Sequence, residues 1–242
     1  MSTTNTSMAV EINDLHAWYG ESHILHGVNM QVEKGQVVTL LGRNGAGRTT
    51  TLRAIMGLVS QRTGSIKIHG TESIKLPTYK IAHLGLGYCP EERGIFASLN
   101  TEENMLLPPT LNTGRTSSAM SKDEIFDLFP NLLERRYSPG TRLSGGEQQM
   151  LAVARILRTG ADILLLDEIS EGLAPVIVQA LARMITILKS KGFTIIMVEQ
   201  NFKFAAPLAD QFYVMEHGAI IEHFAASELA SKESTLQTLL GV

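Results

Sequence analysis

Apolar and polar residues partly alternate over residues 10–15 and 28–32, as they do in half-buried strands. The next run, QVVTLL at 36–41, is short, continuous and rich in β-branched residues, which predicts a buried strand. A glycine-rich turn follows it, and then a helical stretch over 49–56. Residues 65–69 read as another strand. From about residue 99 to 157 the strand patterns vanish and helical spacing dominates, at 102–107, 122–128 and 145–157. The last of these begins behind Ser144, a residue suited to an N-cap because its hydroxyl accepts from a free backbone N–H of the first turn. The intervening segment, 108–121, is rich in Pro, Thr, Ser and Gly and reads as a loop. A strand–helix rhythm then resumes: strand 163–166, helix 175–189, strand 194–198, helix 201–208. Residues 211–215 and 220–223 suit a terminal hairpin, and 228–240 closes with helical character. Strands alternating with helices predict a mostly parallel sheet, and the helical block in the middle predicts an inserted subdomain.

Composition narrows the class. The chain has 242 residues, enough for one sizeable core with a subdomain inserted in it. Its net charge of -3 excludes a general attraction to nucleic acid, which calls for a strong basic excess. Cys89 is the sole cysteine, so no internal disulfide can form and a reducing compartment fits. No apolar run approaches the ~18 residues that span a bilayer. Residues 1–8 are polar, lack the charged and apolar regions of a secretory signal, and read as a flexible tail. A membrane role would therefore come through a partner.

The candidate chemistry begins at the turn after the 36–41 strand. Gly42, Arg43, Asn44, Gly45, Ala46, Gly47, Arg48, Thr49 and Thr50 match the phosphate-binding pattern G-x-x-x-x-G-K-[ST], except that position 48 is Arg rather than Lys. Glycines let successive N–H groups converge on an anion, and the helix N-terminus behind them favours phosphate. Thr49 is placed to bind Mg²⁺. Arg48 keeps the positive charge but is bulkier than an ammonium, so nucleotide binding with slowed hydrolysis is expected. A second signal is the run Ile163, Leu164, Leu165, Leu166, Asp167, Glu168, which sets two carboxylates at the C-terminal end of a buried strand, where open α/β sheets bind ligands. Asp167 suits Mg²⁺ and Glu168 suits the general base that polarises an attacking water. Capping of the following turn is the competing role for the pair.

Leu143, Ser144, Gly145, Gly146, Glu147, Gln148 and Gln149 form the string LSGGEQQ, about 20 residues ahead of the acidic strand. This string resembles the signature motif of ABC ATPases, and the resemblance extends from about residue 10 to the C-terminus. It implies an α/β fold, the P-loop NTPase ABC cassette, with a mostly parallel core sheet, an N-terminal antiparallel β region and an inserted helical subdomain. In residue terms, 1–8 is the tail and 9–242 a single ATPase domain. Its core is 9–90 and 159–225, its helical subdomain about 91–158, and its C-terminal helical segment 226–242. The resemblance also implies ATP and Mg²⁺ as ligands. Two ATPase subunits would pair head to tail, so that Ser144, Gly145 and Gly146 of one face the γ-phosphate held by the other. Tyr19 matches the aromatic residue that stacks on adenine. Glu91 falls at the usual Q-loop glutamine and could reach Mg²⁺. Gln200 falls at the usual switch histidine, and can hydrogen-bond a γ-phosphate without sharing a proton. Leu173 occupies the usual Asp of the D-loop, and Ile169 the Pro that commonly follows the acidic pair.

The combination of Pro90-Glu91, Ser170-Glu171-Gly172-Leu173-Ala174-Pro175 and Val198-Glu199-Gln200-Asn201 is similar to one branch, the second ATPase subunit of branched-chain amino acid importers. Urea and short-amide importers share the pattern. Arg48 and Ile169 depart even from this branch. The branch implies a second ATPase subunit (hetero- or homodimer), transmembrane permease subunits and, indirectly, an extracytoplasmic binding protein. It implies no nucleic acid and a place on the cytoplasmic face of the inner membrane. Glu168, Gln200 and Arg48 are the catalytic candidates, with Thr49, Glu91 and Asp167 around the metal. A nucleotide-binding regulatory subunit with weak turnover is the alternative that Arg48 favours. Phe96 and Leu99 are candidates to line the groove that receives a permease helix.

Other signals point to structure. His16, His23 and His26 fit no zinc spacing. Arg135 and Arg136 read as a solvated pair. Cys89, beside Pro90, reads as a small buried residue, and Met105, Met120, Met150 and Met184 as packing.

Overall fold

The computed structural model describes residues 7–111 and 119–240. Its first sheet is antiparallel and holds β1 (Met8–Tyr19), β2 (Ser22–Glu33), β4 (Gln61–Ile68) and β5 (Thr71–Glu72) in the order β2-β1-β4-β5. β1 begins at Met8, so the expected tail of 1–8 is too long at its inner end: Ser7 O accepts from Lys34 N at 3.1 Å and strand pairing starts at the next residue. Residues 1–6, like 112–118 within the expected loop and 241–242 at the end of the expected C-terminal segment, lie outside the described residues. β1 and β2 are longer than their alternation predicted, because bulges near Asp14, which sits at φ 50°, interrupt the period of two.

The second sheet has the order β10-β9-β3-β8-β7-β6. It contains β3 (Val37–Gly42), β6 (Leu86–Cys89), β7 (Ile163–Asp167), β8 (Thr194–Val198), β9 (Gln211–Glu216) and β10 (Ala219–Ala225). All its pairings are parallel except β9 with β10. Every residue of β3, β7 and β8 is buried. Their side chains still alternate between two apolar layers. Val37, Leu41, Leu164, Leu166, Ile195 and Met197 join one layer, whereas Val38, Leu40, Ile163, Leu165, Ile196 and Val198 join the other. Burial on both faces is what makes such strands read as unbroken apolar runs.

The first layer is closed by α6 (Gly145–Thr159) and α7 (Pro175–Ser190). α7 buries Leu181, Met184, Ile185 and Leu188, a helical stripe in which each side chain contributes about 1.5–3 kcal/mol on burial. α6 starts on a reciprocal capping box between Ser144 and Glu147 and stops at Gly160, φ 85°. The second layer is closed by α1 (Arg48–Ile55), α2 (Thr78–Ala82) and the antiparallel sheet. Between β6 and β7 the regular elements among the described residues are helical: α3 (Thr101–Leu106), α4 (Lys122–Leu128), α5 (Pro130–Glu134), a short 3-10 turn and α6. α8 (Phe202–Ala205) is shorter than its pattern predicted, and α9 (Leu229–Leu240) closes the described chain. No helix among the described residues is long and apolar enough to cross a membrane.

Candidate functional site

The turn from β3 into α1 takes its shape from glycines at left-handed φ. Gly45 sits at 82° and Gly47, the N-cap of α1, at 104°. Ala46 N donates to Arg43 O at 3.0 Å and closes the turn. The tip of the β9–β10 hairpin holds it from outside: Gly218 N donates to Ala46 O at 2.9 Å, while Gly218 O accepts from His26 N of β2 at 2.8 Å. A side chain at position 218 would collide with the carbonyl oxygen of Ile24.

Over this turn lies a cavity of about 490 Å³, lined by the whole stretch from Asn44 to Thr50 together with Tyr19, Glu91, Glu168, Glu171 and Gln200. Residues far apart in sequence thus meet around one volume. Tyr19, at the end of β1, is 43% exposed and offers an open ring face. Gly42 is buried beneath the turn. Arg43 points away, donating from Nε to Leu239 O of α9 at 3.0 Å. Asp167 does not line the cavity but lies just under it, buried.

The cavity floor is charged. Arg48 is only 4% exposed, and its Nη2 donates to Glu168 Oε1 at 2.8 Å and to Asn44 Oδ1 at 3.3 Å. Its Nη1 is buried without a partner. An unpaired guanidinium donor beside free N–H groups at a helix start is a donor set that fits a phosphate oxygen. Gln200 Nε2 donates to Asn44 Oδ1 at 2.6 Å and to both Glu168 oxygens, at 3.2 and 3.0 Å. Thr49 Oγ1 donates to Asp167 Oδ1 at 2.9 Å, and Tyr88 Oη donates to Asp167 Oδ2 at 2.9 Å. Burial nevertheless keeps the Asp167 carboxyl above its ordinary range. A buried carboxylate whose hydrogen-bonding side chains among the described residues are two neutral hydroxyls fits a divalent cation, which would relieve that penalty.

Glu91, Glu168 and Glu171 bring carboxylate oxygens within 4.8 Å of one another. Burial and the neighbouring Glu168 raise the Glu91 carboxyl, and a hydrogen bond with Glu168 raises that of Glu171. Beneath them Glu199 is buried and accepts from Ser170 N at 3.2 Å and Ser170 Oγ at 2.7 Å; burial pushes its carboxyl up to about 7. Glu168 itself occupies φ 48°, a conformation uncommon for a non-glycine residue and often found at functional sites.

Ser144, Gly145 and Gly146 do not line this cavity. Ser144 is exposed, with its hydroxyl accepting from Glu147 N. Gly146 is buried, and a Cβ there would come within 2.7 Å of Ile177 on α7. The string is tied to the 91–99 loop by Arg93, whose Nε donates to Gln149 Oε1 at 3.1 Å. Ile169 is fully buried and Leu173 packs against the core.

Tyr88, Asn44 as a shared acceptor, and Glu171 gain their places from the fold. Tyr88 carries no motif, and its role follows from the register that sets β6 beside β7. An apolar groove of about 570 Å³ is lined by, among others, Met56, Leu58, Tyr79, Pro108, Pro109 and Ile156. Phe96 and Leu99 do not line it. Phe96 instead lies under the Arg155 guanidinium, 5.0 Å from its ring centre. Burial pushes the Cys89 thiol up to about 12, which keeps it protonated. His23 meets the other two histidines: its Nε2 is 3.1 Å from His16 Nδ1 and its ring centre 4.0 Å from that of His26, with Trp18 stacked on it.

Comparison with known proteins gives four findings. Residues 25–171 match the ABC transporter family. The chain is 38% identical to the high-affinity branched-chain amino acid transport ATP-binding protein BraG of Pseudomonas aeruginosa, over 96% of this chain and 99% of that one. It is 32% identical to the probable branched-chain amino acid transport ATP-binding protein LivF of Archaeoglobus fulgidus, over 94% and 97%. In fold it is similar to a nucleotide-free ATP-binding cassette from an ABC transporter, with a TM-score of 0.82 and 20% identity over 97% of this chain and 99% of that one.

Proposed function

The chain belongs to the ABC transporter family as an ATP-binding, ATP-hydrolysing subunit, and from that premise we propose that it energises import of branched-chain amino acids. One observation carries the site reading: a glycine-shaped helix start and Arg48, whose Nη1 is buried without a partner, line the same cavity as Glu168. Adenine stacks on Tyr19. The phosphates lie along Asn44 to Thr50, with Gly42 beneath the turn and Arg43 bracing it from α9. Glu168 orients and deprotonates the attacking water. Arg48 and Gln200 donate to the γ-phosphoryl oxygens as charge develops. Mg²⁺, when held by Thr49 and Asp167 with Glu91 close by, supplies charge neutralisation on the phosphates.

The single domain, with its core at 9–90 and 159–225 and its helical part near 91–158, pairs with a second ATPase subunit. Ser144, Gly145 and Gly146 are exposed or sit at the start of a capped helix, which suits contact with a nucleotide in the partner's cavity. The apolar groove receives a permease helix. That contact holds the chain at the cytoplasmic face of the inner membrane, with an extracytoplasmic binding protein delivering cargo on the other side. Substrate choice follows the named function of the two relatives; urea and short amides are the competing cargo.

Glu168→Gln tests the reading. Labelled nucleotide should still bind saturably, while hydrolysis falls about 10²–10⁴-fold, the usual contribution of a general base. Undiminished hydrolysis would overturn the role of Glu168. Uptake of labelled leucine, urea or acetamide into vesicles carrying the whole transporter decides the cargo. A second reading, nucleotide binding with weak turnover, is favoured by the pairing of Arg48 with Glu168.

A further inference from the structure

The general-base carboxylate is not free. Glu168 Oε1 accepts from Arg48 at 2.8 Å and from Gln200 at 3.2 Å, and Oε2 accepts from Gln200 at 3.0 Å. Asn44 Oδ1 gathers the same two donors, at 3.3 Å from Arg48 and 2.6 Å from Gln200. The ion pair is secluded, with side-chain exposures of 4% for Arg48 and 9% for Glu168. A water molecule awaiting deprotonation needs one of those carboxylate lone pairs.

We propose that Arg48 restrains the general base: without nucleotide its guanidinium holds Glu168, and turnover requires phosphate to draw that guanidinium away. This rests on the ATPase reading given above and adds regulation to the same site. Arginine suits the task because it carries two terminal nitrogens in a planar fork. Nη2 is committed to Glu168 and Asn44, while Nη1 is buried and unpaired. A phosphate in the cavity can compete with Glu168 for the guanidinium, and the buried, unpaired Nη1 gains a partner once the fork turns toward it, so that one anion replaces another without leaving a bare buried charge. A lysine ammonium carries its three donors on one nitrogen and so lacks a second nitrogen to hold in reserve. The restraint therefore competes with nucleotide binding, and it slows hydrolysis for as long as Nη2 stays on Glu168 after nucleotide has bound.

Two measurements on the purified full-length chain test it. Steady-state hydrolysis compares wild type with Arg48→Lys, where kcat should rise threefold or more. Equilibrium titration with labelled ADP compares wild type, Glu168→Gln, Arg48→Lys and the double variant. Glu168→Gln should tighten ADP at least fivefold when Arg48 is present and less than twofold when combined with Arg48→Lys, since the buried Arg48–Glu168 pair is what is released and its coupling is what the cycle reads. Saturable ADP binding by each variant certifies its fold. If all four proteins bind ADP and the wild type and Arg48→Lys both hydrolyse ATP, but Arg48→Lys is no faster or the two substitutions act additively on ADP affinity, the restraint is overturned and the ATPase reading stands. If wild-type chain binds no nucleotide, the ATPase reading falls and takes the restraint with it.

Discussion

Replacing Glu199 by Gln should make the protein more stable in mildly alkaline solution and change little in acid. Glu199 is 1% exposed and, among the described residues, has no cation within hydrogen-bonding distance; its partners are the N–H and hydroxyl of Ser170. Burial raises its carboxyl from 4.5 to about 7, with the charge of Glu168 adding to the shift. The sign follows from proton binding. Between about pH 4.5 and 7 the native state binds the proton more readily than the unfolded chain, so stability falls as pH rises through this window. At about 1.4 kcal/mol for each pH unit, the loss reaches roughly 3 kcal/mol by pH 8. Glutamine keeps an oxygen for Ser170 and carries no charge. Its amide N–H groups would lack an evident acceptor, which costs about 1 kcal/mol. The net expectation at pH 8 is a gain of about 2 kcal/mol over wild type, with near equality or a small deficit at pH 5. Urea unfolding of both proteins across pH 5 to 8 measures this. Parallel stability–pH curves for the two proteins would refute a neutral buried Glu199.

Three further outcomes follow from the geometry. Tyr88→Phe removes a hydroxyl from Asp167 and should cost about 1–3 kcal/mol in urea unfolding, while raising the Mg²⁺ concentration needed for half-maximal nucleotide binding. Gly146→Ala places a methyl 2.7–3.0 Å from three Ile177 atoms and should cost about 1–3 kcal/mol; adding Ile177→Ala should recover part of that loss, as a double-mutant cycle would register. Tyr19→Ala should weaken labelled-nucleotide binding by about 1–3 kcal/mol, the usual worth of a base stacked on an aromatic ring, and an unchanged dissociation constant would remove Tyr19 from the site.

The core of the fold could be read from the chain because β3, β7 and β8 are buried throughout, mostly apolar, and end at or beside chemistry-bearing residues. β6 could not. Its sequence, Leu86-Gly87-Tyr88-Cys89, includes a glycine that weakens strand propensity, and it is a strand because β7 offers a parallel edge for it. Gly87 is needed there for closeness, since a Cβ would lie 3.0 Å from Ile156 of α6. The phosphate turn and the acidic pair were legible as local strings, each with its own physical logic. The Arg48–Glu168 contact was not, because 120 residues separate its partners and only the adjacency of β3 and β7 through β8 joins them. The histidine cluster escaped spacing rules for a similar reason: it is assembled across the β1–β2 pairing, where bulges shift the register.

The turn at His217 and Gly218 has the outward form of an ordinary hairpin tip, the kind of place where a reporter or affinity tag is customarily spliced. Its hydrogen bonds to Ala46 and His26 make it a mechanical tie between the outer sheet and the glycine-rich loop after β3. Cargo inserted there would sever both fastenings at once. The turn at Gly192 between α7 and β8 has open space around it and suits such surgery better.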